Sequence, residues 1–389
     1  MSLSEKRKLR KQMLEQHLGD FLENSISKRI VEKDLLAPVL PEKPEKKVWY
    51  RVPIPMGKSG DGSEYYIYVK IADPKKLIIF FSGGGVAWDE YTAARPISGG
   101  KVAADLPNYY WNNLRPFTQI MNIDMGIMNM KDTENPFKDF SIIDITYATG
   151  DFHVGNNEFP YQGEDGEQHV LHFHGYMNFM ESMCISKNMF PSPKKLLIAG
   201  NSAGAFAVPA LSDEILSMWY PDVKDVTLLS DSALLLYKKW NYTAREVWNA
   251  PEPICRPIDS DNITLCWYRN LYKKYGEKLK YLYSSSTRDY LLSAYYSDVT
   301  YKKYKTDSDV QDAFYKQLVE MVKELKEITP NFNMFINNWE IPIVTKKGTV
   351  HTAVREPYFT RFTQDDVTMS RWLYDAVNGN LYDVGMDLL

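Results

Sequence analysis

Residues 196–206 read Leu-Leu-Ile-Ala-Gly-Asn-Ser-Ala-Gly-Ala-Phe: a short apolar run, a Gly200-Asn201-Ser202-Ala203-Gly204 turn, then helix-forming residues. A strand that reverses into a helix over so few residues presses the positions two before and two after Ser202 against neighbouring backbone. Only glycine, without a Cβ, tolerates that approach. The same turn sets the Ser202 hydroxyl at a helix N-terminus, where unpaired amides favour negative charge. The segment therefore demands a sheet strand feeding directly into a helix.

The same grammar recurs along the chain. Apolar runs at Lys76–Phe81, Phe140–Tyr147, Lys195–Ala199 and Asp225–Leu229, and less distinctly at Leu279–Ser284 and Asn333–Ile336, have the continuous character of strands buried on both faces. Helical segments at His174–Ser186, Ser202–Trp219 and Ser308–Glu327 separate several of them. Alternation of this kind predicts an α/β fold with a mostly parallel central sheet flanked by helices, and ligands beyond the strand C-termini. Val48–Val52 and Glu64–Ala72, around the turn residues Gly57–Gly62, read as a hairpin. At 389 residues the chain has room for two or three domains of ~150 residues. With no repeat and no linker, a single elaborated domain is expected instead: residues 1–47 form a helical leader or arm, and residues 48–389 a catalytic domain with insertions at 109–130 and 238–275.

Composition removes several function classes. Forty-six Lys and Arg against 50 Asp and Glu leave a net charge of −4, so no basic field exists to hold nucleic acid. Neither GxxxxGK[ST] nor GxGxxG occurs, which argues against a bound nucleotide, and no cofactor is expected. The greasiest stretches, such as Leu77–Phe81 and Leu196–Ala199, are strand-sized, so no membrane span is predicted. Residues 1–22 carry charge where a secretion leader needs an apolar stretch of ~7 to 15 residues, and a cytoplasmic location is the expectation. Of the three cysteines, Cys184, Cys255 and Cys266, the last two are the only plausible bridge, and their scarcity points to a reducing compartment. His169, His172 and His174 cluster beside Glu164, Asp165 and Glu167, but packing and hydrogen bonding account for them better than a metal, and no metal site is assigned.

A serine at such a turn becomes a nucleophile only with a base, an orienting carboxylate and donors for the developing oxyanion. The strand ending at Phe81 runs into Ser82-Gly83-Gly84-Gly85-Val86, whose glycines let backbone amides approach a substrate. The amides of Gly85, Val86 and Ala203 are the expected oxyanion donors, each worth ~3 kcal/mol of transition-state stabilisation. In an α/β-hydrolase-like fold the order is serine, acid, histidine. Of six histidines only His351 follows Ser202, which makes it the base. Asp289 leads as the acid by strand counting, with Asp231 as the alternative. Trp88, Tyr91, Asp151 and His153 are candidates for the substrate pocket.

Taken together, Phe81-Ser82-Gly83-Gly84-Gly85, Tyr147-Ala148-Thr149-Gly150-Asp151-Phe152-His153-Val154-Gly155, Phe173–Asn178, Gly200–Gly204, Ser230-Asp231-Ser232 and the Asp289 and His351 loops resemble the pectin acetylesterase and Notum family of α/β-hydrolase-like carboxylesterases. The resemblance spans roughly residues 77–360. It implies Ser202 as nucleophile, Asp289 as acid, His351 as base, and the amides of Gly85, Val86 and Ala203 as oxyanion hole. Ala148 and Val86 stand where that family typically has cysteine and tryptophan, and its many disulfides are missing. The expected function is a serine carboxylesterase that removes O-acyl groups, most readily O-acetyl, from a carbohydrate or small-molecule ester. A lipid or general carboxylesterase, or a catalytically silent binding protein on the same fold, are the alternatives.

Overall fold

The computed structural model describes residues 3–33, 35–116, 118–341, 348–355 and 358–389. Ten strands carry the argument: β1 (Trp49–Lys58), β2 (Glu64–Lys70), β3 (Asp73–Phe81), β4 (Phe140–Ile145), β5 (Asn157–Gln162), β6 (Gln168–Phe173), β7 (Lys195–Asn201), β8 (Asp225–Asp231), β9 (Lys280–Ser286) and β10 (Phe332–Asn337). Eight of them form one sheet in the order β1-β2-β4-β3-β7-β8-β9-β10. β1 and β2 form the antiparallel hairpin at one edge, and every pairing from β4 to β10 is parallel. β5 and β6 make a separate hairpin.

Strand periodicity divides the core in two. In β3, Leu77, Ile79 and Phe81 point to one face and Ile78 and Phe80 to the other, all of them buried. The first face packs under the helices Gly175–Met189, Ala203–Glu214 and Ser308–Ile328, through Phe179, Met183, Ala207, Leu211 and Phe314. The second packs under the helix Met369–Val377 through Trp372, Leu373 and Val377. Both faces are thus covered, as a parallel sheet requires.

The first helix, α1 (Leu3–Glu32), lies against the short helix α2 (Gly99–Ala103). A Cβ on Gly19 would sit 2.4 Å from the Gly99 oxygen, so the two backbones touch. Asp20 accepts the Gly100 amide at 2.9 Å, and Glu23 pairs with Arg115. No helix among the described residues is long and apolar enough to cross a membrane.

Two expectations need correction or restriction. Cys255 and Cys266 do not form a bridge; both are free, and their thiols donate instead to the Ala250 oxygen and the Asp259 carboxylate at 3.2 Å each. Ile341–Thr345, just before the His351 loop, also reads in the sequence as a strand, and from residue 342 on it lies outside the described residues.

Lys70 at the end of β2 is fully buried, its Nζ donating to the Lys138 oxygen at 3.0 Å. Burial pushes its pKa down to about 7. Between that value and 10.5 the unfolded chain binds the extra proton, so stability rises with pH across this window and the full penalty applies below it. Lys70→Met is expected to raise Tm at pH 6 to 7 by roughly 2 °C or more, with the gap shrinking towards pH 10. Thermal melts at both ends of that range check it.

Candidate active site

β7 ends at Asn201, and Ser202 follows with φ 52° and ψ −127°, a left-handed conformation that a serine adopts only when its surroundings enforce it. The enforcement is visible. A Cβ on Gly204 would lie 1.9 Å from the Phe81 oxygen, and one on Gly200 2.2 Å from the Gly204 oxygen. The Ser202 amide is pinned to the Asp231 oxygen at 2.8 Å. A helix, Ala203–Glu214, begins at the next residue, so Ser202 stands at its N-terminus.

Three elements bring the predicted residues together. Asp289 follows β9 and caps the helix Tyr290–Tyr301, its Oδ1 accepting the Leu291 and Leu292 amides at 3.0 Å each. The histidine loop lies alongside it: Thr349 bridges to Asp289, its amide donates to the Arg288 oxygen at 2.9 Å, and its hydroxyl donates to Ser286 Oγ at 2.8 Å. His351 Nδ1 then stands 2.7 Å from Asp289 Oδ2, and Nε2 stands 2.8 Å from Ser202 Oγ. The carboxylate can only accept from Nδ1–H, which leaves Nε2 to accept the serine proton. Asp289 is buried, whereas Ser202 and His351 remain partly exposed.

Asp231 does different work. It is buried, and its Oδ2 accepts the amides of Ala353 and Val354 at 2.7 and 2.8 Å. Burial raises its pKa, while these two amides hold it down. Asp231 thus anchors the loop that carries His351 and does not meet the imidazole by hydrogen bond.

The glycine loop passes directly over the serine: a Cβ on Gly83 would be 2.7 Å from Ser202 Cβ. Val86 is a correction, because its amide donates to the Tyr109 oxygen at 2.8 Å and is not available to substrate. The reason is the left-handed Gly85, φ 83°, which turns the chain so that residues 84 to 86 pair with Tyr109–Trp111. Within the described chain the amides of Gly84, Gly85 and Ala203 show no hydrogen bond, and they are the ones open to an oxyanion.

The pocket candidates fare unevenly. Asp151 is fully buried and ties loops together, accepting the Gly175 amide at 2.8 Å and the Thr149 hydroxyl at 2.7 Å; burial pushes its pKa up to about 6. His153 is buried too, pushed down to about 4 by desolvation and therefore neutral, with Nε2–H donating to the Ser82 oxygen at 2.9 Å. His153 supports the glycine loop from behind, Asp151 ties residues 149–153 to the helix that starts at Gly175, and both are buried away from solvent. Trp88 is likewise buried, edge-on to Tyr109. Tyr91 is exposed, with the Arg95 guanidinium over its ring at 3.7 Å. In the histidine cluster, His169 pairs with Asp165 at 2.9 Å and His172 pairs with Glu158.

One group escaped sequence reasoning. Arg355, four residues after His351 and buried, donates to Ser82 Oγ at 2.8 Å and to Asn122 Oδ1 at 3.2 Å. Ser82 in turn donates to the buried Asp144 at 2.6 Å. Burial lifts Asp144 to about 6 against the pull of Arg355. The network fastens the histidine loop to the start of the glycine loop. Its only sequence signal is an Asp inside the apolar run Phe140–Ile145, since a carboxylate there needs partners.

Sheet order, serine turn and glycine loop define an α/β-hydrolase-like protein. The pectinacetylesterase family model matches residues 60–250, a stretch that holds the glycine loop and the serine turn. Over that stretch the chain is similar to the pectin acetylesterase/Notum-like family, and the match supports a hydrolase acting on ester bonds. Among solved structures, the Wnt deacylase Notum from Drosophila aligns over 86% of this chain and 94% of its own, with a TM-score of 0.58 and 14% sequence identity, which is a likeness of fold. No curated protein matches the chain.

Proposed function

We propose that this esterase is a serine carboxylesterase working through Ser202, His351 and Asp289, and that it removes O-acetyl groups from a carbohydrate. The observation that carries the reading is the relay Ser202 Oγ, His351, Asp289 at 2.8 and 2.7 Å beneath open backbone amides. Ser202 Oγ attacks the ester carbonyl as its proton passes to His351 Nε2. The carbonyl oxygen takes the negative charge and is met by the amides of Gly84, Gly85 and Ala203. The ester C–O bond breaks, and His351 gives its proton to the departing alkoxide. Water repeats the sequence on the acyl-enzyme and releases acetate. Asp289 keeps the imidazole tautomer and stabilises its charged form.

A short acyl group is favoured because Trp88, Tyr109 and Tyr295 fill the space behind the glycine loop with their own rings, at centroid distances of 5.3 to 6.1 Å. Little room is left there for an alkyl chain. With 4-nitrophenyl esters, acetyl is expected to exceed octanoyl at least ~10-fold in kcat/KM, a difference of ~1.4 kcal/mol. A preference for octanoyl would favour a lipid esterase instead.

A further inference from the structure

The helix Tyr290–Tyr301 starts one residue after Asp289, and beside it lies a cavity of about 730 Å³, of a size suited to a small ligand. Its walls come from α1 (Lys11, Glu15), from α2 and the residues after it (Val102, Asp105), and from Tyr290 and Tyr304. Tyr290 of the lining comes directly after Asp289 at the C-terminal end of β9, a strand of the same parallel sheet as β7, which runs into Ser202. An aromatic chain joins the two places. Tyr304 packs on Tyr109 at 5.9 Å, and Tyr109 packs on Trp88 of the glycine loop at 5.3 Å.

We propose that this cavity is a subsite for the neutral glycan chain that bears the ester, an inference resting on the carbohydrate esterase reading above. Tyrosine supplies an apolar ring with a polar edge, the combination that suits a sugar face ringed by hydroxyls. The charges select further. Lys11 pairs with Glu15 at 3.6 Å and Lys305 pairs with Asp307, so both cations of the lining are matched, while Asp105 adds a third carboxylate. A polyuronate would meet this surplus of carboxylate and be repelled, and an alkyl chain would strip water from the ion pairs. An uncharged oligosaccharide suffers neither cost. The arm helix α1 thereby becomes part of the substrate site.

The test compares acetylated xylotetraose, acetylated tetragalacturonate and 4-nitrophenyl acetate on the full chain. The neutral oligosaccharide is expected to exceed the anionic one at least tenfold in kcat/KM. Val102→Trp places an indole at the cavity wall from an exposed position, and Tyr304→Ala removes a ring. Each is expected to lower the ratio of xylotetraose to 4-nitrophenyl acetate kcat/KM at least fivefold, through KM. An unchanged ratio in both variants, or preference for the uronate, overturns the subsite while Ser202-dependent hydrolysis of 4-nitrophenyl acetate leaves the esterase standing. Absence of any Ser202-dependent hydrolysis overturns both.

Discussion

Ser202→Ala is expected to lower kcat for 4-nitrophenyl acetate by up to ~10⁶-fold, with KM changed little. The size follows from what the alanine removes. The hydroxyl is the only atom that forms the acyl bond, and its loss leaves His351 with nothing to deprotonate except water. Some hydrolysis survives, because the open amides of Gly84, Gly85 and Ala203 still face a carbonyl oxygen. The fold should tolerate the change, since alanine at the elbow keeps the amide that Asp231 holds at 2.8 Å. Purified variant and parent, compared by kinetics and circular dichroism, decide the point. A loss below tenfold would remove Ser202 from the chemistry.

Asp289→Asn should cost ~10⁴-fold in kcat. An asparagine amide presented to His351 Nδ1 donates where the carboxylate accepted, which forces the ring proton to Nε2 and leaves no lone pair for the serine proton. Asp231→Asn is expected to cost less than ~10-fold, since the amide oxygen of asparagine can still accept from Ala353 and Val354 and keep the histidine loop in place. The comparison distinguishes an acid from an anchor. A larger loss at position 231 than at 289 would exchange their assignments.

Much of this arrangement was legible in the residues. Gly200 and Gly204 carry their own reason, because a turn at Ser202 closes only where no Cβ intrudes, and the backbone oxygens of Phe81 and Gly204 now show what would be struck. His351 followed from arithmetic, as no other histidine comes after the serine. The expectation about Val86 failed for a conformational reason: Gly85 takes a positive φ, which no pattern of three glycines reveals, and so rotates the next amide towards Tyr109. Asp151 and His153 look like polar loop residues in sequence, yet long-range packing buries both, Asp151 against Gly175 and His153 against Ser82 of the glycine loop. Arg355 was missed because its partners, Ser82 and Asn122, lie 273 and 233 residues away. Tertiary contact, not local spacing, creates that link.

Intact-mass spectrometry after treatment with a fluorophosphonate, which phosphonylates an activated serine, tests the central claim most directly. One adduct per chain is predicted for the parent, a slower one for Asp289→Asn, and none for Ser202→Ala. An unlabelled parent, or labelling that persists undiminished in Ser202→Ala, would contradict it.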